Sequence, residues 1–221
     1  MLWEEITMSG ITIRPNNTEI KRLHKCKNEW DYKGKLGEII AKYTIKDLGA
    51  THIKQINGKD NIQRGDLEFT TKNGTFSAEV KMGTIFNNTN RLAIVLKHTK
   101  KGSYGTIPYV QWKSTGNDLG WIYECYAHIL VVVFPTNVYV IMDCNKFLNT
   151  VLAELDKYDN VNYQEWYRKG YEYPLAPFVT GAINTKDRYK DDYIVCVDLD
   201  KFLHKHNLKF SVIEYQMEDL N

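Results

Sequence analysis

Asp66, Glu68, Glu79 and Lys81 sit in two short segments, residues 65–69 and 78–82, separated by the run Lys72-Asn73-Gly74-Thr75. Asn-Gly between such segments is a strong hairpin signal, so the two are expected to pair as antiparallel strands. Side chains alternate along a strand, which gathers the charged residues on one face and leaves Leu67, Phe69, Ala78, Val80 and Met82 on the other. With a two-residue turn at Asn73-Gly74, Asp66 stands opposite Lys81 and Glu68 opposite Glu79. Three carboxylates and one ammonium then share a surface.

Carboxylates directly across a strand pair repel, so this face gains nothing from its own charges in water. A divalent cation reverses the sign. Hard ions such as Mg²⁺ take oxygen ligands, typically one or two carboxylates, with waters and a substrate phosphate completing the shell. The alternative is a solvated hairpin face, a common fate of charged strands.

The elements around the hairpin must hold that face in place. Ahead of it, residues 17–30 are expected to include a helix, residues 31–35 a turn, and Leu36, Ile39, Ile40, Tyr43 and Leu48 recur at helical spacing up to Gly49. Glu38 falls in the first turn of that helix, where the dipole favours a negative charge, with Lys42 one turn on. Gly37 beside it is costly inside a helix, which points to close approach by another chain or a ligand. Residues 51–56 read as a strand. After the hairpin, residues 83–106 hold Arg91, Lys97, His98, Lys100 and Lys101 with apolar Leu92 to Leu96 between them and read as a strand ending in a basic, glycine-containing loop, and Lys113 follows. Next to a carboxylate cluster such cations suit phosphate contacts. Residues 129–134 and 138–142 form two strands turned at Pro135-Thr136-Asn137, and a helix capped by Asp143 or Asn145 buries Phe147, Leu148, Val151, Leu152 and Leu155. The aromatic stretch 158–179 holds Pro174 and Pro177, which break regular structure, and is expected to pack on the main sheet, with a platform for bases or for a second subunit as the alternatives. A strand at 193–197 and a helix from about Asp200 follow.

Composition bounds the class. With 43% hydrophobic and 25% charged residues in a 221-residue chain there is enough apolar material for a substantial core. A net charge of +2 is too small to announce nucleic-acid binding by itself, so any basic patch is local. Cys26, Cys125, Cys144 and Cys196 are too dispersed for a zinc site or disulfide framework and fit reduced thiols. No basic segment leads into an apolar one at the N-terminus, and no apolar run approaches the ~20 residues of a membrane span. A soluble, cytoplasmic protein with no membrane partner is expected.

The order Glu38, Asp66, then Glu79-Val80-Lys81 resembles the PD-(D/E)XK nuclease superfamily, which includes restriction endonucleases and archaeal-type Holliday junction resolvases. Residues 34–49 resemble the resolvase-like opening helix, and residues 126–142 the paired strands behind the active site. No proline precedes Asp66, where Arg64-Gly65 stands. The resemblance implies an α/β (α+β) fold: a restriction-endonuclease-like mixed β-sheet core flanked by helices, at 34–157. An N-terminal extension at 1–33 and a C-terminal extension at 158–221, packed on the core, would flank it. It also implies Mg²⁺, with Mn²⁺ as a substitute, held by Asp66, Glu79, the Val80 carbonyl and Glu38, with Glu68 in place of Asp66 as the other possibility. Lys81 would orient or deprotonate a water or offset transition-state charge. The implied activity is DNA phosphodiester hydrolysis by a homodimeric endonuclease, with Arg91, Lys97, His98, Lys100, Lys101 and Lys113 on the DNA. A module that keeps the fold and binds nucleic acid or protein without cutting is the alternative.

Overall fold

Asn16 opens the first helix by a reciprocal capping box: its side chain accepts the Thr18 and Glu19 N–H groups, and the Glu19 carboxylate accepts the Asn16 N–H. The computed structural model describes residues 10–56, 64–100, 120–123, 125–157, 173–184 and 190–218. Helix α1 (Asn17–His24) is followed by α2 (Glu29–Asp47), which begins earlier than expected. Asn28 caps α2 through the Asp31 N–H, so residues 31–35 are helical rather than a turn, and Glu38 lies in the helix interior rather than its first turn. Gly49, at φ +88°, ends the helix as the spacing predicts.

The chain falls into two units, each threaded by more than one segment: Met1–Gly83, Tyr126–Asn145 and Leu208–Asn221 in the first, Thr84–Cys125 and Lys146–Asn207 in the second. The second unit is therefore two insertions in the first. The stretch 34–157 is shared between both, and the last residues of the chain return to the first.

The first unit is a seven-stranded mixed sheet. Its strands are β1 (Ile11–Ile13), β2 (Thr51–Gln55), β3 (Leu67–Thr71), β4 (Gly74–Met82), β7 (Ile129–Val133), β8 (Asn137–Ile141) and β12 (Phe210–Met217), in the order β1-β12-β8-β7-β4-β3-β2. Strands β2, β3 and β4 form an antiparallel meander, β7 runs parallel to β4, and β8 pairs antiparallel with β7. One face carries Leu67, Phe69, Ala78, Val80, Ile129, Val131, Val133, Val138 and Val140, buried with Ile40, Ala41 and Ile45 of α2. A helix on one face of a mixed sheet is the layer arrangement that buries both apolar surfaces at once.

The second unit is a five-stranded sheet in the order β5-β6-β11-β10-β9. Its strands are β5 (Thr84–Phe86), β6 (Thr89–Lys100), β9 (Tyr173–Ala176), β10 (Val179–Asn184) and β11 (Lys190–Asp198). Helix α3 (Cys144–Lys157) has Phe147 edge-on to Phe202 of α4 (Leu199–Lys205), and Asp198 caps α4 through the Lys201 N–H. Two expectations fail here. The basic residues Lys97, His98 and Lys100 lie in strand β6, paired with β11, not in a loop. Pro174 does not break regular structure; it sits in the edge strand β9, where a missing N–H costs no ladder bond, and that strand belongs to the second sheet. Lys101, Lys113 and the aromatics Tyr163, Trp166, Tyr167 and Tyr171 lie outside the described residues. Among the described residues no helix is long and apolar enough to cross a membrane.

Candidate functional site

The β3–β4 hairpin turns at Lys72-Asn73, one residue earlier than expected, because Gly74 already pairs with Thr71. The register therefore places Glu68 opposite Ser77, not Glu79. Carried past the end of β3, the same register sets Asp66 beside Glu79 rather than Lys81. A slip of two residues preserves the face, so Asp66, Glu68, Glu79 and Lys81 still share one side of the sheet.

Gly65 makes this close pass possible. Its φ is +92°, and a Cβ there would lie 2.6 Å from the Ala78 carbonyl oxygen. Only glycine satisfies both conditions. The next residue, Asp66, is stitched to strands on either side: its N–H donates to the Ala78 carbonyl (2.8 Å), and its carbonyl accepts the Ile56 N–H (2.9 Å). Its side-chain Oδ2 accepts the Val80 N–H at 2.8 Å, taking over where the β3 ladder has ended. A strand residue's N–H and C=O leave on the same edge, so the Val80 carbonyl is aimed at this end of β3 too. Oδ1 of Asp66 keeps no hydrogen-bond partner among the described residues.

Glu79 is 6% exposed, and its Oε1 accepts from the Lys81 ammonium. Burial pushes the Glu79 carboxyl above the usual glutamate range; Lys81 opposes that shift and the Asp66 charge adds to it. Glu38 arrives from α2. A Cβ on Gly37 would meet the Met82 sulfur at 2.7 Å, so the glycine lets α2 lie over the end of β4; the close neighbour is the chain's own strand, not the other chain or ligand expected there. Burial also raises the Glu38 carboxyl; Arg22 holds it down in part, and Asp66 again pushes it up. Asp66 is thus the common electrostatic neighbour of both glutamates. Glu68 differs: Lys54 and Arg64 pair with it and lower its carboxyl.

Two residues that the sequence reading missed complete the Glu38 environment. Arg22 of α1 donates to Glu38 Oε2 at 2.7 Å, and the Gln55 amide at the end of β2 donates to the same oxygen. They lie 16 and 17 residues away in sequence, and no local spacing reveals them. Beside them is a recess of about 250 Å³ lined by Arg22, Glu38, Lys42, Lys54, Gln55 and Leu67, among others. Also unforeseen is His128, whose Nδ1 lies 3.0 Å from both the N–H and the hydroxyl of Ser77, the β4 residue two before Glu79.

The donor chemistry fits a hard cation: carboxylates from α2, from β4 and from the residue that leads into β3, with Glu38 and Glu79 disfavoured as anions by burial and by Asp66, and a strand-edge carbonyl. Among the described residues, no three His, Cys, Asp or Glu side chains are already drawn together as a metal-binding group. The partners explain this, since Glu79 is turned to Lys81 and Glu38 to Arg22 and Gln55. Of the expected phosphate contacts, Arg91 stands in β6 with its guanidinium 4.7 Å from the Phe86 ring and its Nε 3.1 Å from the Thr89 hydroxyl. Arg91, Lys97, His98 and Lys100 all belong to the second unit, whereas the carboxylates and Lys81 belong to the first. No protein-family model, curated protein or solved structure matches the chain.

Proposed function

We propose that the chain is a divalent-cation-dependent endonuclease of the PD-(D/E)XK type, hydrolysing phosphodiester bonds in DNA. One observation carries the reading: Asp66 is fixed by the Val80 N–H beside Glu79, in electrostatic reach of Glu38, with Lys81 bonded to Glu79. The topology supports it. Helix α2, the antiparallel meander β2-β3-β4 and β7 parallel to β4 are a set of elements that a restriction-endonuclease-like core would use. In this chain an inserted segment of the second unit makes the β4-to-β7 crossover.

Asp66 Oδ1, a Glu79 oxygen and the Val80 carbonyl would hold Mg²⁺ or Mn²⁺, and Glu38 would support a second ion or a ligand water. Bound there, the ion supplies an acidified water and positive charge against the phosphate. The chain's own groups do the rest. Asp66, locked to the β4 backbone, keeps its free oxygen in one place. Arg22 and Gln55 occupy a single oxygen of Glu38 and fix its direction. Lys81 places a cation at the same edge, where it offsets charge gathering on the phosphate; this electrostatic role suits it better than that of a base. Glu68, neutralised by Lys54 and Arg64, is the weaker ligand candidate. Cutting both strands of a duplex calls for two such sites, so we take the working form to be a homodimer.

Calorimetric titration with Mn²⁺ tests the centre directly. The wild type is expected to bind, with Asp66→Asn and Glu79→Gln losing the heat and Glu68→Gln keeping it. Equal binding by Asp66→Asn and wild type would overturn the assignment.

A further inference from the structure

We propose that the corner between α1 and α2, residues 21–35, is the surface that holds a nucleic-acid strand with at least one unpaired base: Trp30 stacks on the base, and Lys21, Lys25 and Lys27 contact its phosphates. This deepens the nuclease reading by naming where the substrate strand lies in the first unit.

Charge is the first observation. Residues 21–35 hold six Lys and Arg against Glu29 and Asp31, a surplus of four in a chain whose total surplus is two. The first unit as a whole has as many Asp and Glu as Lys and Arg, so outside 21–35 it is net acidic, and that unit's positive charge is concentrated here. Lys33 and Lys35 are paired within α2, to Glu29 (2.6 Å) and Asp31 (2.9 Å), and Arg22 is paired with Glu38. Lys21, Lys25 and Lys27 are exposed and have no ion pair among the described residues. Lys21, His24 and Lys25 stand at i, i+3 and i+4, so they form one stripe along the exposed side of α1.

Trp30 is the second, independent observation. It is 82% exposed, the most exposed of the large hydrophobic side chains described, and its ring is met by the Lys33 ammonium at 5.7 Å. An indole left in solvent does nothing for the core. An exposed flat ring that follows the unpaired Lys21, Lys25 and Lys27 closely in the chain offers the two features with which proteins hold single strands, because every base has a face to stack and every phosphate a charge. Arg22 belongs to the same corner and bonds Glu38, so a strand lying on it runs toward the carboxylates.

Fluorescence anisotropy with a labelled single-stranded oligonucleotide, in EDTA and over a range of salt, tests this without requiring chemistry. The wild type is expected to bind. Trp30→Ala should bind about tenfold more weakly with an unchanged salt slope, and Trp30→Phe should recover most of the loss. Replacing Lys21, Lys25 and Lys27 by Ala should lower the slope of log affinity against log salt by about 2. No binding by wild type, variants that bind like wild type, or anionic phospholipid vesicles bound as tightly as the oligonucleotide would each overturn the proposal. The nuclease reading fails separately: binding at this corner without cleavage under Mg²⁺ leaves the corner standing, and cleavage with unchanged KM in every corner variant leaves only the nuclease.

Discussion

The Asp66 carboxylate accepts the backbone N–H of Val80 at 2.8 Å, so one acidic side chain both closes the end of the β3–β4 ladder and faces Glu79. The two roles separate by substitution. Asp66→Ala leaves a largely buried N–H unpaired and should lower stability by about 1–2 kcal/mol in urea unfolding. Asp66→Asn keeps an acceptor oxygen and should retain most of that stability. Both should lose cleavage by about 100-fold or more.

Glu38 and Glu79 are raised above the ordinary glutamate value, chiefly by burial. A raised carboxyl means the native state binds protons more tightly than the unfolded chain. Its stabilisation is present below the unfolded pKa and is lost as pH rises through the folded one. Without divalent cations, Glu79→Gln should match wild type near pH 4 and exceed its urea midpoint near pH 8, in the range above the usual glutamate pKa of about 4.3. Mg²⁺ should narrow or reverse the gap at the higher pH. Midpoints with and without the ion decide it.

The two site glycines should respond differently to alanine. At Gly65 an added Cβ meets the Ala78 backbone in a left-handed conformation, so Gly65→Ala should cost about 2 kcal/mol or more and displace Asp66. At Gly37 it meets the end of the flexible Met82 side chain, and the helix gains from alanine. Gly37→Ala should change stability by about 1 kcal/mol at most. Denaturant midpoints rank the pair.

In the second unit, Glu154 is 3% exposed and is held by the Lys157 (2.6 Å) and Lys205 (2.9 Å) ammonium groups, which bring its carboxyl down to about 2. A lowered carboxyl stabilises above its unfolded value and loses that contribution as pH falls toward the folded one. Glu154→Gln should therefore cost about 2 kcal/mol at neutral pH, allowing for the exposure of both lysines, and the difference from wild type should shrink below about pH 4. Glu154 lies outside the unit that carries the carboxylates, so cleavage by this variant should follow its folded fraction.

What could be read in the chain follows the range of the forces involved. The hairpin face was legible because strand alternation survives a two-residue slip in register, even though the turn falls at Lys72-Asn73 rather than Asn73-Gly74. Gly34 and the charges around it read as a turn, but the Asn28 cap overrides them and α2 begins at Glu29. Arg22 and Gln55 reach Glu38 only through the packing of α1 and β2, which no local pattern encodes. The second sheet was invisible for the same reason. Strand β6 finds its partner β11 about a hundred residues later, and until that pairing is known its lysines look like a basic loop.

The central claim is that Asp66, Glu79 and Lys81 form a metal-dependent centre for cutting DNA. The most direct measurement is cleavage of linear, branched and single-stranded DNA by wild type, Glu79→Gln and Lys81→Ala, purified in parallel, with Mg²⁺ and with EDTA. The wild type should cut at least one substrate with Mg²⁺ and none with EDTA, and both variants should be slower by about 100-fold or more while unfolding as folded proteins do. Cleavage by Glu79→Gln or Lys81→Ala at the wild-type rate, or a wild type inert on every substrate, would contradict it.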